Sequence, residues 1–189
     1  MTVTELQSQI PGYTSGTWVI DPIHSEVGFS VRHLMLSKVR GRFATFEGRI
    51  VTAADPLESS VEATIDLSSI DTNSPDRDAH LRSADFFDVE RHPLMTYRST
   101  AVRVVDGGFL VDGELSLHGI TRPVTLKLQV EGFLPSSPFG DTRIGFSAAA
   151  EINRSDFGIK FGLADSGGVG LGDKVQIALE VEAVLQPGT

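Results

Sequence analysis

The residues best suited to chemistry are concentrated in one stretch of this 189-residue chain, RDAHLRSADFFD at 77–88, where Arg77, Asp78, His80, Arg82, Asp85 and Asp88 stand beside Phe86 and Phe87. An imidazole near a carboxylate can relay a proton or hold a divalent metal, and His24, His33 and Glu26 offer further donors. The spacing argues against both. Asp78 and His80 are two residues apart, which on a helix turns their side chains about 200° from each other, and His24 and His33, nine apart, fall on opposite faces of a regular strand. Nor does the chain carry a G-x-S-x-G elbow, an H-E-x-x-H pair or a phosphate-cradling glycine loop. Three readings stay open at this point: a metal-dependent or hydrolytic enzyme using His80 and Asp78, a polar cap over an apolar binding interior, and a barrel that binds no lipid and serves interaction alone. Arg77 and Arg154 either orient a polar head group or pair with Asp78, Asp85 or Asp156. His92 reads as a loop residue, His118 as the polar face of a hairpin, and DSGGVGLGD at 165–173 as a flexible loop.

Composition narrows the partners. Hydrophobic residues make up 40% and charged residues 22%, as expected of one soluble globular domain. Lys and Arg number 16 against 25 for Asp and Glu, and the net charge of -9 disfavours nucleic acid and anionic lipid surfaces as long-range partners. The absence of cysteine excludes disulfides, thiolate nucleophiles and cysteine-bound metals. The N-terminus MTVTELQSQIPGYTSG shows no signal-peptide pattern, and no run approaches the roughly 18 apolar residues of a spanning helix. The expectation is a cytoplasmic protein without stable membrane insertion. Residues 1–16 read as a flexible tail that either adheres to the domain or stays mobile, and 17–189 as the domain itself.

The elements that must position these residues are strands. Alternation of apolar and polar side chains recurs in eight runs, each bounded by turn residues. HSEVGFSVRH places Val27, Phe29 and Val31 on one face; SSVEATIDLSS does the same for Val61, Ala63, Ile65 and Leu67. GFLVDGELSLHG aligns Phe109, Val111, Leu115 and Leu117, PVTLKLQVEG aligns Val124, Leu126, Leu128 and Val130, and RIGFSAAAEIN aligns Ile144, Phe146, Ala148 and Ala150. KVQIALEVEAVL contributes Val175, Ile177, Leu179 and Val181, and LMTYRSTAVRVV completes the regular set. In VRGRFATFEGRIV, Phe43 and Phe46 are three apart, so they share a face only across a bulge or twist, for which Gly41 or Gly48 is the expected site. Short connections predict a meander. With one dry face and no amphipathic helices to cover it, the sheet must close on itself or fold into a sandwich, and eight strands suit a closed barrel. Small inward residues, Ala63, Gly113, Ala148, Ala150 and Ala183, hint at space left for a ligand. One short helix is expected between the third and fourth strands, with Ser74 as N-cap, Pro75 at its first position, and His80, Leu81, Ala84 and Phe87 forming a stripe toward the barrel opening.

Five motifs, WVIDPIHSEVGFSVRH at 18–33, GRFATFEG at 41–48, SSIDTNSPDRDAHLRSADFFDVERHP at 68–93, LVDGELSLHGITRPV at 110–124 and INRSDFGI at 152–159, together resemble the YceI family of lipocalin-like, polyisoprenoid-binding barrels, with a likeness running from about Thr17 to Leu185. The resemblance implies an all-β, eight-stranded antiparallel up-and-down barrel with a short helical lid, a homodimer, and a long isoprenoid chain such as a prenyl quinone or polyprenyl lipid held in an apolar tunnel. It implies no catalytic residues, no metal and no cofactor other than the bound lipid. On this reading Val27, Phe29, Val31, Phe43, Phe46, Ile65, Leu67, Phe87, Leu115, Leu126, Leu128, Phe146, Ile177 and Leu179 contact the lipid, with Arg77, His80 and Arg154 at the mouth.

Overall fold

A computed structural model describes residues 2–163 and 170–188. Eleven antiparallel strands run in chain order as β1 (Gly16–Ile20), β2 (Glu26–His33), β3 (Ser37–Phe43), β4 (Phe46–Thr52), β5 (Ser60–Asp66), β6 (Ile70–Asp71), β7 (Leu94–Val105), β8 (Gly108–Leu117), β9 (Ile120–Leu134), β10 (Arg143–Asn153) and β11 (Leu171–Leu185). Helix α1 (Val3–Ser8) precedes them, and α2 (Pro75–Arg82) lies between β6 and β7. The hydrogen-bonded circuit passes from β1 through β4, β5, β7, β8, β9, β10 and β11 and returns to β1, so the sheet is closed. β2, β3 and β6 lengthen the first three members of that circuit: β2 continues along β11 beyond β1, β3 pairs with β2, and β6 pairs with β3. The protein is therefore an eight-stranded up-and-down barrel with three of its strands broken in two and a helical lid after the third. Of the glycine-rich run at 165–173, residues 165–169 lie outside the described residues, and Leu171 already belongs to β11.

Breaking the strands solves the facing problem posed by Phe43 and Phe46. No bulge is used; β3 ends at Phe43 and β4 begins at Phe46, and the two residues between them are tied to the matching break across the sheet. Ala44 N–H donates to the Ser69 carbonyl (3.1 Å), and the Asp66 N–H donates to the Thr45 carbonyl (3.0 Å). The flanking glycines serve close approach instead. A Cβ on Gly41 would sit 2.4 Å from the Phe29 ring, and one on Gly48 would sit 2.5 Å from Ile20. A true bulge occurs in β9, where Phe146 pairs with Val130 and Gly145 with Gly132, leaving Glu131 as the extra residue. The inserted residue lets Val130 and Phe133, three apart, both face inward.

β1 and α1 escape the sequence reading, as does the two-residue β6. β1 lies ahead of the expected first strand, and its Trp18 is fully buried with its indole N–H donating to Thr52 Oγ1 at 2.8 Å. Helix α1 carries a capping box, Thr2 accepting from the Glu5 N–H while Glu5 accepts from the Thr2 N–H. Thr2 and Glu5, three apart, were the legible signal for it. Leu6 and Ile10 from this N-terminal segment are buried.

The gap between β1 and β2 is braced by ions. Asp21 accepts from the Ile23 N–H and from Arg143 Nη1 (2.9 Å) and meets His24 Nδ1 at 2.8 Å, while Arg143 grips Asp141 with two nitrogens at 2.9 Å each. Hydrogen bonding by His24, then by Arg143 and the Ile23 amide, holds the Asp21 carboxyl down at about 2 against an ordinary 3.8. A depressed folded-state pKa supplies stability above the unfolded value and loses it as pH falls through the folded one. Asp21→Asn is expected to lower the melting temperature at pH 7, and the gap from wild type should close between pH values of about 4 and about 2, followed by thermal melts across that range. A gap that persists unchanged at the acid end would show that Asp21 acts through packing alone.

Candidate ligand cavity

Inside the barrel the apolar faces meet in two groups with unfilled space beside them. At the end carrying α2, Phe43, Leu67, Ile70, Phe86, Leu117, Phe157 and Ile159 pack into a continuous plug. At the opposite end Trp18, Ile20, Ile50, Ile144 and Ala183 form a smaller group against the wall. Between them, reaching toward the α1 end, lies a cavity of about 200 Å³, counted as room for the centres of water-sized spheres. By the same measure one water needs about 10–15 Å³ and two to four polar partners. The room is ample and the partners are missing, because the wall is carbon almost throughout.

The expected lining residues divide by height in the barrel. Val27, Phe46, Ile65, Leu115, Leu126, Leu128, Phe146, Ile177 and Leu179 are on the cavity wall. Phe29, Val31, Phe43, Leu67 and Phe87 are not; they lie toward the α2 end, with Phe29 against Phe43 (ring centroids 5.7 Å) and Phe43 against Phe87 (6.0 Å). Inward direction was legible from period two, whereas depth along the axis depends on strand stagger, which periodicity does not encode.

The three polar groups assigned to a mouth are also off the wall. Arg77 donates to Thr72 Oγ1 (2.8 Å) and to the Thr72 carbonyl (2.7 Å). Arg154, only 5% exposed, donates to the carbonyls of Gly172 (2.9 Å), Phe161 (2.7 Å), Leu171 (3.1 Å) and Ile159 (3.2 Å). Neither makes the carboxylate pair expected of it. Burial pushes the Arg154 pKa down, Asp173 opposing, and the four carbonyls take the place of a counter-ion. His80 Nε2 meets Asp85 at 2.7 Å, and its ring stands edge-on to Phe86 and Phe161. Asp78 faces the other way, accepting from the Thr72 N–H (2.9 Å) and hydroxyl (2.5 Å). The two residues of the enzymatic reading are thus committed to separate structural bonds. Nor does the helix carry an apolar stripe: α2 ends at Arg82, Ser74 makes no side-chain capping bond, and Ala84, Phe86 and Phe87 come from the turns that follow.

Two side-chain groups among the described residues bring three potential metal ligands within 4.8 Å of one another. In the first, Asp21, His24 and Glu182, the cation position is taken by Arg143, whose Nη1 lies 2.9 Å from Asp21 and 2.5 Å from Glu182. The second joins Asp88, His92 and His118, which the sequence reading had left apart. There His118 Nδ1 donates to the Phe157 carbonyl at 3.0 Å, the two imidazoles stand edge to face at 5.1 Å, and Arg91 reaches Asp88 at 3.5 Å.

The N-terminal segment lies over the opposite end of the cavity. Ile10 and Tyr13 are part of the wall, together with Pro56, Ser59 and Ser60. The segment is strapped down by Gln7 Nε2 donating to the Ala54 carbonyl (2.6 Å) and by the Tyr13 hydroxyl donating to the Ala53 carbonyl (2.7 Å). Sequence reasoning missed these wall residues because a single Ile ahead of Pro11 and a single Tyr between Gly12 and Gly16 have no period to read. Deeper in, the Tyr97 hydroxyl donates to the carbonyls of Val111 (3.0 Å) and Val124 (3.1 Å), and burial raises its pKa to about 12, so it stays neutral.

Comparison with known proteins gives a consistent picture. A family model described as the YceI-like domain matches residues 18–183. A UPF0312 protein of Pseudomonas aeruginosa and protein YceI of Escherichia coli are each 36% identical over 164 residues, 86% of this chain and 83% of theirs. Among solved structures, a Campylobacter jejuni YceI protein superposes with a TM-score of 0.71 at 28% identity, covering 94% of this chain and 100% of that one. BcnA of Burkholderia cenocepacia gives 0.76 at 24% identity over 86% and 98% of the two chains. A polyisoprenoid binding domain from Saccharophagus degradans, implicated in plant cell wall breakdown, gives 0.69 at 18% identity over 92% and 100%, a likeness of fold.

Ala148 is small and faces the cavity. Ala148→Phe is expected to fill the space, cutting fluorescence enhancement of an apolar naphthylamine probe by at least about tenfold in affinity while keeping the fold. Phe146→Asp should lose the probe as well, through a carboxylate set among apolar walls. Probe titration with circular dichroism checks both, and undiminished binding by folded Ala148→Phe would place the probe elsewhere.

Proposed function

The chain belongs to the family of YceI-like domains, and from that premise we propose that it binds and carries, or sequesters, a long-chain isoprenoid lipid with the tail in the barrel cavity. The observation that carries the reading is the chemistry of the wall. Among the described residues that line it there is no Lys, Arg or His, so the carboxylate of a fatty acid would find no counter-ion inside. A polyprenyl chain needs none. The polar groups that do line it are neutral hydroxyls, and Tyr13, Thr52, Ser59 and Ser60 are gathered at the α1 end. The Tyr13 and Thr52 hydroxyls are already donated to the Ala53 and Thr14 carbonyls, so the wall suits a guest that asks for few hydrogen bonds, as an isoprenoid chain does.

Affinity would then come from tail length. Desolvation favours burial by about 0.8 kcal/mol per methylene-sized group before ordering costs. At about 0.3 kcal/mol per heavy atom, a tail of about 40 carbons gives roughly 12 kcal/mol, against roughly 5 kcal/mol for a chain of about 16. The Saccharophagus degradans domain, whose description names polyisoprenoid binding, adds support at the level of fold. Asp78 and His80, held apart as they are, supply no acid/base or metal pair for the enzymatic alternative.

Organic extraction of the protein purified from its native host, followed by mass spectrometry, should return a prenyl lipid in near-stoichiometric amount, and Ala148→Phe prepared in parallel should return much less. Recovery of straight-chain fatty acids, or of equal lipid from both proteins, would overturn the reading. The N-terminal strap adds a kinetic expectation. Tyr13→Phe with Gln7→Ala removes two of the hydrogen bonds that hold it and should speed lipid release severalfold at little cost in melting temperature, measured by transfer to acceptor vesicles.

A further inference from the structure

The tip of the β2–β3 hairpin is built against local preference. Leu34 and Met35 occupy the two central positions of the turn closed by the Leu36 N–H bond to the His33 carbonyl, and both have positive φ, 51° and 58°. A turn of that kind favours Asn and Gly, because a side chain there crowds the following carbonyl. The strain is not offset by burial of the side chains at the apex: Met35 is 72% exposed, Leu36 84% and Leu34 40%. Backbone cost and exposed apolar surface at the same residues mark a surface that something else covers.

The charge around the tip says what. Residues 32–42 hold four of the 16 basic side chains, Arg32, Lys38, Arg40 and Arg42, and none of the 25 acidic ones, in a chain of net charge -9. Arg42 is paired with Asp71, whereas Arg32, Lys38 and Arg40 are exposed and make no hydrogen bond or ion pair among the described residues. Asp173, on the neighbouring part of β11, is turned to the Ser155 N–H and hydroxyl. Phe161, half exposed, lies on the loop joined to Leu171, the residue that pairs with His33. Screening over about 8 Å at physiological salt means that a surface touched by the tip feels these cations rather than the distant acidic body of the barrel. Symmetric pairing of two such tips would set cation against cation.

We infer that the β2–β3 hairpin is a membrane-docking element, inserting Leu34, Met35 and Leu36 into the interfacial region of an anionic bilayer while Arg32, Lys38 and Arg40 bind lipid phosphates. The long-range repulsion expected from the overall charge is overcome locally, and attachment is peripheral and reversible. The inference rests on the hairpin alone and is independent of what the cavity holds.

The test is flotation of the full-length protein with vesicles. Wild type is expected to bind phosphatidylcholine vesicles containing about 30% phosphatidylglycerol at low salt, and to bind pure phosphatidylcholine vesicles at least about tenfold more weakly. Met35→Ser with Leu36→Ser, and separately Lys38→Glu with Arg40→Glu, should each weaken binding by at least about tenfold, and high salt should release the wild type. These exposed positions leave the melting temperature unchanged, which circular dichroism verifies. No binding by wild type, binding by either variant equal to that of wild type, or a tip variant that only dissociates a dimer without changing flotation would overturn the inference.

Discussion

An apolar inner surface that is lined almost wholly by carbon yet not filled by its own side chains is the constraint on which the rest of this structure depends. Period-two strands present one dry face, and with only two α-helices among the described residues, too short to cover it, the sheet removes its edges by closing on itself. Closure satisfies the backbone through β1 to β11 pairing, but it also encloses more volume than the side chains occupy. A packed interior would be denser and more stable. The carbon-lined space that remains is unfavourable for water and favourable for hydrocarbon.

The broken strands are part of the same compromise. At the breaks after Phe43 and Asp66, hydrogen bonds exchanged between the two facing breaks restore the lost ladder, and after Ile20 the Asp21 N–H bonds the Glu182 carbonyl of β11. The ionic brace of Asp21, Arg143, Asp141 and Glu182 sits at the break after Ile20. Buried polar side chains are spent in a similar way. Asp78 fixes Thr72 ahead of α2, and Arg154 gathers four carbonyls from the segment leading to β11. The groups that look most reactive in the sequence are those that hold irregular backbone in place, where unpaired carbonyls and amides would be costly.

The two ends of the barrel have different characters. The α2 end is plugged by aromatic and aliphatic side chains and bears the basic, apolar-tipped hairpin; the α1 end is overlain only by a short strap held by a few hydrogen bonds. Local stability differs accordingly, since a strap of this kind opens at far less cost than the core strands around it.

Alternation in the sequence was sufficient to identify eight strand runs, the inward faces of the regular ones and the need to cover one dry face by closure or by a second sheet, because a side chain's face in a strand depends only on its own position and its neighbours along the chain. It was also sufficient to place Leu115, Leu126, Leu128 and Phe146 toward the interior, whereas the facing of Phe46 waited on the strand break and the Thr2–Glu5 mark of α1 went unread. What only the tertiary structure decided was depth: that the cavity runs toward the α1 end, that Phe43, Leu67 and Phe87 close the other, that Ile10 and Tyr13 complete the wall, and that Arg77 and Arg154 bind backbone instead of a head group. Height along a barrel axis follows from the stagger of strands paired around a closed circuit, and the partners of a buried cation follow from where remote loops end. Both are relations between segments distant in the chain, which no local pattern of residues contains.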